Sequence, residues 1–163
     1  MGGVAKDYSQ MVLALMNDQI LCDLMLIPKL EQKNTLMYGK YFVEAFTSSV
    51  ITLDGICRLL IKSAPQSFTN NQFVKEDSVI IEVFVPVKKD RSGVGFERLS
   101  NQIIDRIYTI FTKKRQNRTT LEWSKSALIN DKKMCLEGRN ELNSPSLDFI
   151  RMFIGFSFKR VYS

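Results

Sequence analysis

Ser78-Val79-Ile80-Ile81-Glu82-Val83-Phe84-Val85-Pro86-Val87 is the stretch on which the fold turns. It is almost continuously apolar and rich in Val and Ile, the pattern of a strand covered on both faces and therefore central in its sheet. Pro86 has no N–H to give a ladder, so the strand frays there. Glu82 is the odd residue of the run, and it reads as an Arg-paired or sheet-edge glutamate rather than a catalytic acid.

Working outward, Lys88-Lys89-Asp90-Arg91-Ser92-Gly93-Val94-Gly95 reads as a flexible turn. Its two glycines lack the third glycine and the Lys-Ser/Thr ending of a phosphate-cradling loop. Phe96, Leu99, Ile103, Ile104, Ile107, Ile110 and Phe111 then recur at three and four, which predicts an amphipathic helix over 96–112. The basic run Lys113-Lys114-Arg115-Gln116-Asn117-Arg118 complements the negative end of that helix's dipole.

Upstream, 41–46, 50–53 and 56–61 read as short strands, with Asp54-Gly55 as a hairpin turn between the last two. Ala64-Pro65-Gln66-Ser67 is expected to end this set and 69–77 to be a polar connection. Tyr8, Met11, Val12, Leu15, Met16, Ile20, Leu21 and Leu24 predict a packing helix over about 7–26, bent at Asn17-Asp18 and ended by Pro28.

Downstream, 119–123 and 126–129 read as strands. The stretch 130–146 has no clean period and is expected to be a binding loop or mobile arm. At the end of the chain, Ile150, Met152, Ile154, Phe156, Phe158 and Tyr162 share one parity, and Arg151, Gly155, Ser157 and Lys159 the other. That predicts a long final strand with one buried face. The whole is a single α+β domain over 1–163, with a mainly antiparallel sheet packed by two helices on one face and long loop or hairpin insertions.

Composition narrows the chemistry. The 163 residues contain no histidine, which removes imidazole acid–base catalysis and imidazole metal ligation. Cys22, Cys57 and Cys135 form no CxxC pair and no disulfide framework, and they read as small core or interface hydrophobes of a chain made in a reducing, cytosolic compartment. No basic leader precedes an apolar run, and the strongest apolar segment, 20–27, contains Asp23, so neither a signal peptide nor a membrane contact is expected.

The carboxylate pairs Asp18 and Asp23, Glu76 and Asp77, and Glu137 and Glu141 fall in expected surface turns or helix edges. No GxSxG or SxxK motif surrounds any serine, and no catalytic residue, cofactor or metal site is assigned. The net charge of +6 permits contact with nucleic acid without demonstrating it. Most aromatics of the last strand are expected on the parity needed for the core, which leaves little for base stacking.

The order of elements resembles that of the tail terminator and tail-completion proteins of long-tailed bacteriophages. The likeness lies in the N-terminal apolar helix with its break at Asn17-Asp18, in the strand at 78–85 followed by a turn and the helix at 96–111, and in Leu121-Glu122-Trp123 preceding a loop and the final strand. The segment 29–63 and the loop 130–146 are longer than the family pattern, which leaves room for another neck, connector or baseplate protein.

The resemblance implies a virion structural protein without catalysis, six copies in a ring at the head-tail junction. It would contact the tail tube protein and the head completion or connector protein, with DNA passing through the lumen without sequence recognition. Met134, Leu136, Leu142, Phe149 and Arg151 are candidate subunit contacts on this reading, local core under a loop being the other reading of the apolar four. The competing expectation is a basic nucleic-acid-binding accessory protein using Lys88 to Arg91 and Lys113 to Arg118 on phosphates.

Overall fold

The computed structural model describes residues 3–44, 55–68, 74–91, 97–112, 115–116, 123–124, 134–144 and 148–161. The strands expected at 50–53 and 126–129, and the Gly93 and Gly95 turn, lie outside these residues.

Two helices open the fold, α1 (Gly3–Met16) and α2 (Gln19–Leu24). The break falls at the expected Asn17-Asp18 because Asp18 leaves helical geometry (φ −86°, ψ 108°) and its side chain caps α2, accepting from the Leu21 N–H at 2.8 Å. Met25 caps the other end. Leu26 then donates to Asp23 O (3.0 Å) and Ile27 to Cys22 O (3.2 Å), the paired bonds of a Schellman ending, with Pro28 blocking continuation.

A 3-10 turn (Lys29–Glu31) and α3 (Asn34–Met37) lead to β1 (Phe42–Val43). Gly39, at φ +85°, makes the tight reversal between them, its N–H donating to Phe42 O at 2.9 Å.

β2 (Arg58–Phe68) and β3 (Val74–Pro86) form a long antiparallel pair. Contrary to the sequence expectation, Pro65 does not end β2. The ladder shifts register between Ala64 and Ser67, and such an irregularity accommodates a residue with no N–H. The polar connection expected at 69–77 is correspondingly shorter, because β3 already begins at Val74.

A helical turn, α4 (Val87–Asp90), replaces the first part of the expected flexible loop, and α5 (Leu99–Thr112) follows. Among the described residues, β4 (Arg115–Gln116) pairs only with β5 (Trp123–Ser124), in a separate small sheet. Within the run 113–118, only Arg115 and Gln116 are described.

β6 (Cys135–Leu142) occupies the stretch read as a loop. The correction has a physical reason. Its inward-facing positions include Arg139 and Glu141, which reach α5 and its approach through ion pairs, so no apolar alternation marks the strand.

β7 (Phe149–Val161) closes the fold as the expected final strand. The main sheet runs β1-β2-β3-β7-β6, with β1 parallel to β2 and every other pair antiparallel. This is an α+β fold with β3 central.

Register determines which side chains meet the helices. Ile81 lies opposite both Ile61 and Ile154, and Val79 opposite Phe156, so these share a face. With Leu59, Val83, Val85 and Met152 they form one core with Met11 and Leu15 of α1, Leu21 of α2, and Ile103, Ile104, Ile107 and Phe111 of α5. The other parity carries Leu60, Glu82, Phe84 and Phe149; Phe84, Phe149 and Leu60 make a second small cluster there.

Asp18 ties α2 to α5. Besides capping α2, its carboxylate accepts from Arg106 Nε (2.9 Å) and Nη2 (2.6 Å). Replacing Asp18 with alanine removes a cap worth about 1 kcal/mol and leaves a half-buried guanidinium without its fork partner, adding about 1 kcal/mol more. Asp18→Ala is therefore expected to cost about 2 kcal/mol in urea unfolding, against near-neutrality for Asp23→Ala, whose pair with Lys29 is exposed.

Candidate functional site

Three places gather charge or apolar surface. On the sheet face away from the helices, Glu82 sits in the middle of β3 with its side chain 5% exposed, and Oε1 accepts from Arg151 Nη2 at 2.6 Å and Lys62 Nζ at 2.9 Å. Lys62 on β2 and Arg151 on β7 each stand one pleat diagonally from it, which is how three strands converge on one carboxylate. Burial pushes Glu82 up, but the hydrogen bonds from Arg151 and then Lys62 outweigh it and hold the carboxyl below its ordinary range. The Arg-paired reading of Glu82 is therefore what the side chains do. Arg151 also donates to Asn143 O at 3.2 Å, joining the end of β6 to the same cluster.

The second place is the start of α5. Asp90, buried at the end of α4, accepts from the Ser100 N–H at 2.9 Å and from Arg98 Nε at 2.6 Å. It caps α5 from a distance. Arg98 also donates to Glu141 Oε2 at 3.2 Å, linking α4, α5 and β6. Burial raises the Asp90 carboxyl, yet the bonds from Ser100 and Arg98 bring it below its usual value. A cavity of about 300 Å³ lies beside this cluster, lined by Val87, Asp90, Arg91, Arg98 and Ile150. Both Asp90 oxygens are already engaged, so the cluster reads as a brace for α5 rather than as an acid–base pair.

The third place is apolar. Of nine large hydrophobic side chains exposed among the described residues, six belong to 13–38: Leu13, Ile20, Leu26, Leu30, Leu36 and Tyr38. Leu30 is 87% exposed. Leu26 occupies the left-handed position of the Schellman ending at φ +61°, where glycine is usual and a leucine costs roughly 1 kcal/mol. Leu26 is 46% exposed, so burial within this chain offsets that strain only in part.

The sequence-derived candidates do not come together in one patch. Met134 packs into the main core and Phe149 into the small cluster with Phe84. Leu136 is exposed on β6, Leu142 is half-buried at its end, and Arg151 is engaged with Glu82. Asp77, expected in a surface turn, is buried on β3 opposite Phe158, because β3 starts earlier than its apolar run.

Sequence reasoning gave no role to Asp90, in an apparent loop, or to Arg98, near the start of the expected helix; a carboxylate ten residues ahead of a helical serine was the available signal. Cys22 and Cys57 are buried, their thiols pushed up by burial to about 11 and about 12, while Cys135 is exposed. Among the described residues, no three His, Cys, Asp or Glu side chains converge as metal ligands, and no helix is long and apolar enough to cross a membrane. No protein-family model matches the chain, and no curated protein matches it.

Proposed function

We propose that this chain is a structural protein of a tailed-bacteriophage virion, acting as a ring of copies, six on the family pattern, at the head-tail junction. It caps the tail tube, contacts the head connector and leaves a lumen for DNA. The observation that carries this reading is the apolar surface of segment 13–38, and above all Leu26, strained and exposed at once. So many exposed apolar side chains within one segment suit contact with another protein. A ring needs two different surfaces per subunit, and the helical side supplies one of them.

The opening helices with their break at Asp18, and β3 followed by α5, also support the reading, since the family resemblance rests in part on that order, whereas Trp123 pairs with Gln116 in the separate small sheet. Function here comes from shape and contact. Purified protein is expected to give annular particles in class-averaged electron images and a particle mass of several chains by light scattering. Leu30→Glu should lower that mass while leaving the thermal melt of the subunit in place. Compact particles of one or two chains at every concentration would end the ring reading.

A further inference from the structure

β6 ends the main sheet, and among the described residues no strand pairs with its outer side. An open edge of eight residues is a template for another chain. Two details point to what fits it. The Glu141 N–H is bound by the side chain of the preceding residue, Asn140 Oδ1, at 2.8 Å. Asn140 lies opposite Phe153 of β7, so its amide reaches this N–H on the open side. The edge-facing backbone groups in the regular half of β6 are thus those of Glu141 and, two residues back, Arg139.

The second detail is charge. When two copies of β6 are laid antiparallel about a twofold axis at Asn140, Arg139 of each faces Glu141 of the other, at the two positions whose backbone groups point outward. Gly138 then faces Leu142, and Glu137 faces Asn143. Moving the axis to Arg139 sets Glu137 against Glu141, a like-charge pair. Moving it to Gly138 centres the pairing on the register shift between Leu136 and Gly138. Arg139 and Glu141 keep their bonds to Asp105 and Arg98 in the first arrangement, since carboxylates and guanidinium groups each have capacity for a further partner.

We propose that β6 pairs with β6 of a second copy across a twofold axis at Asn140, making one continuous sheet through two subunits. Asn140 covers the edge in the free chain and gives way to the incoming strand. This contact is isologous, whereas ring closure is heterologous, so it stands apart from the ring reading; a ring that carries it stacks back to back on a second ring.

The test uses the full chain. In a Cys135→Ser background, with Cys22 and Cys57 buried, Asn140→Cys places two thiols face to face on the axis. Mild oxidation is expected to give a covalent pair of chains, absent from the background protein. Adding Glu141→Arg sets like charges opposite at both ends and should lower the linked fraction about tenfold; adding Arg139→Glu as well should restore it. Melting by circular dichroism checks that each variant is folded.

No linked pair, or linkage indifferent to the charge exchange, overturns the proposal. So does a wild-type chain that sediments as a monomer at high concentration, a readout independent of any variant's folding. Linked pairs without annular particles would reject the ring and keep this contact; rings without linkage would do the reverse.

Discussion

Replacing Phe156 with alanine is expected to cost about 4 kcal/mol, a large share of the roughly 5–15 kcal/mol by which domains of this size are stable. The residue is fully buried in the middle of β7, opposite Val79 on one side and Leu136 on the other. Its ring meets that of Phe111 on α5 edge-to-face, at 5.1 Å and 66°. Truncation loses the transfer free energy of the ring, the aromatic pairing and the packing of helix on sheet at one point, and β7 and α5 are too firmly held elsewhere to close the void. Phe153, three residues earlier on the opposite parity, is half-buried, and Phe153→Ala should cost less than half as much. Urea midpoints of the two variants measure this directly. Equal losses would mean that the sheet does not have the one deeply buried face its register describes.

Which side of an element faces the core was legible in the sequence where one side is dry and the other is not. The even-numbered apolar residues from Ile150 to Phe158 alternate with Arg151 and Gly155, and α5 shows its stripe from Leu99 to Phe111, so both elements and their facing sides could be read before any coordinates. Asn17-Asp18 was legible for a different reason: an aspartate three residues ahead of a helical N–H is a chemical cap, not a pattern.

What stayed hidden was held by charge across long separations. β6 presents Leu-Glu-Gly-Arg-Asn-Glu-Leu, whose inward positions satisfy themselves through Arg139 with Asp105 and Glu141 with Arg98, 34 and 43 residues away. Hydrophobic periodicity is blind to such a strand. The same blindness hid Asp90, which acts only because Ser100 and Arg98 fold back to it. Met134 and Phe149 illustrate the converse. Apolar residues beside an apparent loop looked available for contact, but the strand they flank draws them inward. The part of 13–38 up to Leu26 was legible as an apolar helix, yet which of its residues are left outside depends on the bend at Asp18 and the left-handed Leu26, both tertiary facts.

Arg151→Met is expected to destabilise the chain by about 3 kcal/mol at neutral pH, because it strands a carboxylate that is almost wholly out of water. Lys62 remains at 2.9 Å, which keeps the loss at the low end for a broken buried pair. The pH response gives the argument its sign. In the native chain Glu82 is depressed, so its contribution is present above the unfolded value and is lost as pH falls through the folded one.

Without Arg151 the main force holding the carboxyl down is gone and burial takes over. The folded value is then expected to move up toward or past the unfolded one, so that acidification weakens the variant less than the native chain. The gap between native and variant proteins should accordingly shrink from neutral to mildly acidic conditions. Arg151→Met combined with Glu82→Gln removes the stranded charge and should regain more than half of the loss. Urea unfolding of the three proteins across this range is the measurement. A pH-independent difference, or a loss within about 0.5 kcal/mol of the native chain as for an ordinary surface change, would show that Glu82 is hydrated and that the face away from the helices is open to water at its centre.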